Sequence, residues 1–263
     1  MNKAKQAQNI EYGLIKYKGS ALPTTDLLVV PHKESDLIVK VFGPDTYKDN
    51  LSKMKGHYSH SSERLGNLTD ITFKPLPTYF SLAVASYDFP NLAKPMIFNS
   101  NWLQAGRILR VAEGVWINPL EDKGGEVITD EKELEKYLHT QNKMVNGIYL
   151  LDGHTSFVPY NSFEKREQCP EKFLEGGLAR GLVHTSEKIA DSLSPIANDK
   201  EYPNNVDVLG FDSVKEPILK VVCLYFYRDV GCGGLVVDGS GWIDDYYGYA
   251  FGGLVSCRAS TKI

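Results

Sequence analysis

The chain has few of the features that announce a chemistry. Cysteine is scarce, with four in 263 residues at positions 169, 223, 232 and 257. They form no Cys-x-x-Cys pair, and the last three have no nearby histidine, which excludes a zinc site of ordinary spacing and makes free thiols the plain reading. Apolar runs are short: none approaches the roughly 18 residues of a membrane-spanning helix. The polar start "MNKAKQAQNIEYG" is not followed by the apolar stretch of a secretory signal, so a soluble chain without membrane insertion is expected. A net charge of −4, a pI near 5.9 and the absence of any Lys/Arg-rich run leave nothing for a phosphate backbone to bind, so nucleic acid is not an expected partner. Gly-x-Ser-x-Gly, the phosphate loop, His-Glu-x-x-His and the dinucleotide fingerprint are all missing. No catalytic residue, metal or cofactor is therefore assigned.

One absence is local. The stretch "CLYFYRDVGCGGLVVDGSGWIDDYYGYAFGGLVSC", residues 223–257, contains no Lys, Glu, Gln or Met, although these types make up 47 of 263 residues. Roughly six would be expected at uniform composition. The same stretch holds 8 of the 23 glycines and 5 of the 15 tyrosines. Tyr, Ser, Gly and Asp are the residues of recognition loops, where tyrosine offers contact area at small entropic cost. A tyrosine-rich sheet packed on its own core has a similar composition, and the residues alone leave both readings open. "DGSGWIDD" (238–245) also brings Asp238, Ser240, Asp244 and Asp245 together like a calcium loop, but lacks the glycine and the closing glutamate such a loop needs.

Along the rest of the chain, turn-bounded runs of Val, Ile and Phe predict strands in "GLIKYKG", "DLLVVP", "DLIVKVFGPD" and "YFSLAVASYDFP". Residues 52–67, with His57 and His60, read as a solvated loop. A hairpin or bent strand is expected over 101–120 with Gly114 at the turn, and a second hairpin over 147–160 around Asp152-Gly153. Thr129 is the expected N-cap of a short helix carrying Leu134 and Leu138. The longest helical period runs over 169–193, where Gly176, Gly177 and Gly181 predict close approach to a sheet and His184 reads as a packed or solvent-edge histidine rather than a ligand. "VDVLGFD", "PILKVVCLYFY", "GLVVDGSGW" and "YAFGGLVSC" return to strands. The order predicts an α+β fold with helices on one side of a twisted, mostly antiparallel sheet.

The ending "LVVDGSGW…GYAFGG" resembles the close of the C-type lectin fold in its formylglycine-generating-enzyme-like branch. More specifically, the chain resembles the variable proteins of diversity-generating retroelements, of the archaeal kind. In that family a reverse transcriptase rewrites the 3′ end of the gene at adenines, and the mutable codons never yield Lys, Glu, Gln, Met or Trp. The resemblance implies a C-type lectin-like domain over 91–263, with a hypervariable region at about 220–257. Residues 1–90 would be a β-rich domain or extension. Leu235, Val237, Gly241, Trp242, Gly248, Ala250 and Phe251 are implied as scaffold, with Trp242 packed beneath the site. The implied variable positions are Tyr225, Phe226, Tyr227, Asp229, Cys232, Ser240, Ile243, Asp244, Asp245, Tyr246 and Tyr247. The implied function is non-enzymatic recognition of a variable protein ligand on a cell or virus surface. The alternatives on the same fold are a formylglycine-generating-type cysteine oxidase, for which Cys232 and Cys257 would have to meet, and a calcium-dependent sugar lectin.

Overall fold

The computed structural model describes residues 27–32, 35–62, 66–87, 89–90, 93–94, 101–141, 144–151, 154–201, 205–229, 232–245 and 247–254. The fold is mixed α+β, dominated by one large, mostly antiparallel sheet. Strand β1 (Leu27–His32) pairs with β2 (Ser35–Asp45), and helix α1 (Tyr47–Met54) follows. Strands β3 (Tyr58–Ser62) and β4 (Gly66–Ile71) form a separate hairpin, and then come β5 (Lys74–Pro75) and helix α2 (Thr78–Tyr87). Strands β6 (Trp102–Arg110) and β7 (Gly114–Ile117) make the hairpin expected over 101–120. Helix α3 (Glu131–Gln141) leads to β8 (Met144–Val145), β9 (Ile148–Leu150) and β10 (Ser156–Pro159). After β11 (Arg166–Gln168) come α4 (Pro170–Glu175), α5 (Gly177–Leu182) and α6 (Ser194–Ala197). The chain closes with β12 (Val206–Leu209), β13 (Ile218–Asp229), β14 (Cys232–Gly241) and β15 (Gly248–Leu254).

Because side chains alternate along a strand, consecutive residues mark the two faces of the sheet. Val222 and Leu224 of β13 enter the main core, whereas Val221 and Cys223 join a second cluster with Phe42, Tyr47 and Met54. Likewise Ile117 and Val158 face the main core, while Trp116 and Phe157 form a third cluster with Leu134 of α3. Helices α2, α4, α5 and α6 supply the main core, and α1 and α3 cover the other face. Helices therefore lie on both faces rather than one, because β13 and β6 are apolar at successive positions and each face needs cover.

The sheet forks at β6. One edge pairs with β13 throughout; the other takes β15 in parallel at Trp102 and Leu103, then β7 from Ile108. A register shift beside Gly106 lets Leu103, Ala105 and Ile108 all reach the main core. Strands β2 and β5 pair with β15, so Ser35–Asp45 and Lys74–Pro75 extend this same sheet.

Several expectations are corrected. Residues 79–87 of "YFSLAVASYDFP" are helical in α2: an apolar run of this length has no decisive period, and Thr78 anchors the helix by donating from N and Oγ1 to Asn118 Oδ1, both at 2.9 Å. Within 52–67, residues 52–54 end α1 and residues 58–62 and 66–67 belong to a hairpin, where Tyr58 tucks against Phe42 and Phe73 at 5.9 and 5.5 Å between ring centroids. The N-cap of α3 is Asp130, not Thr129, since Asp130 Oδ1 accepts from Glu133 N at 2.9 Å. The 169–193 helix breaks at Gly176, whose ψ of 150° is extended. Gly181 does approach the sheet as expected, since a Cβ there would stand 2.3 Å from Val158 Cγ2. "GLIKYKG" and the Asp152-Gly153 turn lie outside the described residues, although β9 and β10 do pair as a hairpin.

Candidate ligand-binding surface

The surface is built where β13, β6 and β15 lie side by side at the start of the fork. Tyr225 of β13 stacks on Trp102 of β6 with centroids 4.9 Å apart and planes at 20°. Gly248 pairs with Trp102 on the opposite edge, so the loop 242–247 enters β15 one strand away from that stack. The sequence offers no local signal for Trp102, because more than a hundred residues separate it from Tyr225.

The loop is held from below by α1. Lys48 N donates to Ile243 O at 3.1 Å, and Lys48 Nζ stands 3.5 Å from Asp244, an exposed pair that adds little stability. The firmer tether is Asn50, which has no solvent exposure. Its Nδ2 donates to Gln104 Oε1 at 2.8 Å and to Gly248 O at 2.9 Å, and Gln104 Nε2 donates to Asp45 O at 3.0 Å. One buried amide thus ties α1, β6 and the end of the loop together.

Glycine in this stretch is a packing requirement rather than loop flexibility. A Cβ added at Gly234, Gly239, Gly241, Gly248 or Gly252 would stand 2.4, 2.7, 2.6, 2.5 or 2.6 Å from its nearest neighbour. In three of these cases that neighbour is a backbone carbonyl oxygen: of Asn205, Val221 and Trp102 for Gly234, Gly241 and Gly248. Leu235, Val237, Gly241, Gly248, Ala250 and Phe251 are all buried.

Trp242 departs from the expectation. It is 55% exposed instead of packed beneath the surface, because it follows the last residue of β14, beyond the strand that would carry it inward. Its ring covers Lys220, whose Nζ lies 2.8 Å from the ring centroid. Lys220 is only 4% exposed, and burial, reinforced by the charge of Arg110 and opposed by that of Asp238, pulls its pKa below the ordinary lysine value.

The expected variable residues do not form one set. Asp244, Asp245 and Tyr247 are exposed, the last at 64%. Tyr225 and Tyr227 are half-buried on the outer side of β13, whereas Phe226 turns toward the main core, edge-on to Phe89 at 5.9 Å, as strand alternation demands. Ile243 packs against the second cluster. Ser240 points at the buried Asp238, whose Oδ1 accepts from Ser240 N at 2.7 Å and from Ser240 Oγ at 2.6 Å. Asp238 is therefore engaged within its own strand rather than joined to Asp244 and Asp245 as a calcium loop would require. Asp229 and Cys232 sit at the β13–β14 turn, at the far end of β14 from the loop. Their side chains, and all of Tyr246 and Cys257, lie outside the described residues. Cys223 is fully buried, and burial raises the pKa of its thiol.

No protein-family model, curated protein or solved structure matches the chain. No helix among the described residues is long and apolar enough to cross a membrane.

Proposed function

We propose that this chain is a non-enzymatic ligand-binding protein: a C-type lectin-like frame that presents a retroelement-diversified surface to a variable protein partner. The observation that carries the reading is the division within residues 223–257. A buried frame in β14 and β15 stands beside an exposed loop, in a stretch free of Lys, Glu, Gln and Met. The surface is narrower than composition suggests and centres on Tyr225, Tyr227, Asp244, Asp245 and Tyr247. Trp242, a residue the mutable codons cannot yield, serves as a constant aromatic contact beside them. Aromatic anchors supply contact area and the aspartates favour partners with basic or hydrogen-bond-donating groups.

The test is genomic. A reverse-transcriptase gene beside this one, with a near-copy of the coding bases for 223–257 differing only at adenines, is the expected result. Natural copies of the protein should differ at the exposed loop and not at the buried glycines. Differences spread evenly along the gene would overturn the reading.

A further inference from the structure

A cavity of about 460 Å³ opens beneath α3, on the arm of the sheet formed by β7, β9 and β10. Its floor is aromatic. Trp116 and Phe157 are buried with ring centroids 5.0 Å apart, and Tyr149 stands 6.1 Å from Phe157. Leu134 and Leu138 of α3 close one side. The rim carries three exposed carboxylates, Glu113, Glu131 and Glu135, and no described Lys or Arg lines the cavity. His139, also at the rim, lies 3.6 Å from Glu135. None of the described residues of 223–257 borders this space, so it is independent of the surface proposed above.

The volume lies within the roughly 300–1,000 Å³ typical of small-molecule sites. Aromatic ring faces are electron-rich and attract cations, and the carboxylates add a field of the same sense at the entrance. An anion would meet three like charges on the way in. We infer that this cavity is a binding site for a small organic cation: an ammonium group attached to an apolar body, with the body against the aromatic floor and the charge toward the glutamates.

The chain has three tryptophans, so W102F/W242F leaves Trp116 as the sole indole and makes fluorescence a local reporter. That protein is titrated with 2-phenylethylamine, 2-phenylethanol and 3-phenylpropionate, which share a body and differ in charge. The amine is expected to shift Trp116 emission and to bind about tenfold more tightly than the alcohol, with the acid weaker still. Replacing all three rim glutamates by glutamine, on an exposed surface where folding is not at stake, should remove the preference for the amine. The proposal is overturned if amine and alcohol bind alike, if the preference survives the triple replacement, or if the amine leaves Trp116 unchanged at about 10 mM.

Discussion

Strands β14 and β15 meet their neighbours main chain against main chain at Gly234, Gly241 and Gly248, whereas the cluster between α3 and the arm formed by β7, β9 and β10 packs side chain against side chain. In the first, glycines bring β14 and β15 against neighbouring carbonyls, and Asn50 ties the backbone of Gly248 to α1. In the second, Trp116, Phe157 and Leu134 meet across a cavity they do not fill. A frame fixed by its backbone leaves rim side chains free to change without loss of the fold. A frame fixed by side chains gives up that freedom but can enclose a ligand.

The largest test of this contrast is Gly248→Val. Its Cβ would fall 2.5 Å from Trp102 O, and neither strand can withdraw without breaking pairing. A loss of about 3 kcal/mol in urea unfolding is expected, and a loss below about 1 kcal/mol would show that the backbone contact is not what holds this arm. In the other arm, Leu134→Ala should cost about 2 kcal/mol, near the low end for a buried leucine, because open space already adjoins it. If that cost exceeded the glycine effect, the comparison would be reversed.

Lys220→Met should act in the opposite direction, raising stability by about 1 kcal/mol at neutral pH, since the desolvation of the buried charge outweighs the pull of Asp238 and its contact with Trp242 offsets only part of it. The sign of its pH dependence follows from the lowered pKa. Between the folded value and the ordinary value near 10.5, the unfolded chain binds more protons, so the lysine's burden lifts and stability rises with pH through that window. The methionine variant should lack this rise relative to the parent, as followed by thermal melts from pH 7 to 11; a parallel profile would assign no cost to the buried charge. The smallest effect is expected for Asp245→Asn with Tyr247→Ser, within about 0.5 kcal/mol of the parent. A larger loss would mean that the loop supports the frame.

Much of the strand pattern was legible beforehand. The runs at 206–209, 218–229, 232–241 and 248–254 are apolar, β-branched or aromatic and bounded by turn residues, and each is a strand. Helix α2 was not legible, because its apolar residues surround it and leave no period to read. Nor was the β3–β4 hairpin, whose anchor Tyr58 is hidden among polar neighbours. The exposure of Asp244, Asp245 and Tyr247 could be expected from their polarity. The inward turn of Phe226 and the outward position of Trp242 could not, since both depend on register and on where β14 ends.

The sequence by itself determined that the segments around 206–209, 218–229, 232–241 and 248–254 are strands, that four residue types are excluded from 223–257, and that glycine is concentrated there. Only the tertiary structure decided why the glycines are there. Alternation along a strand separates two faces but does not say which neighbour will cover each, and contacts such as Tyr225 on Trp102 or Asn50 on Gly248 join positions 123 and 198 residues apart. Those long-range approaches turn a glycine-rich composition into a rigid frame, and they confine the exposed surface to the loop it carries.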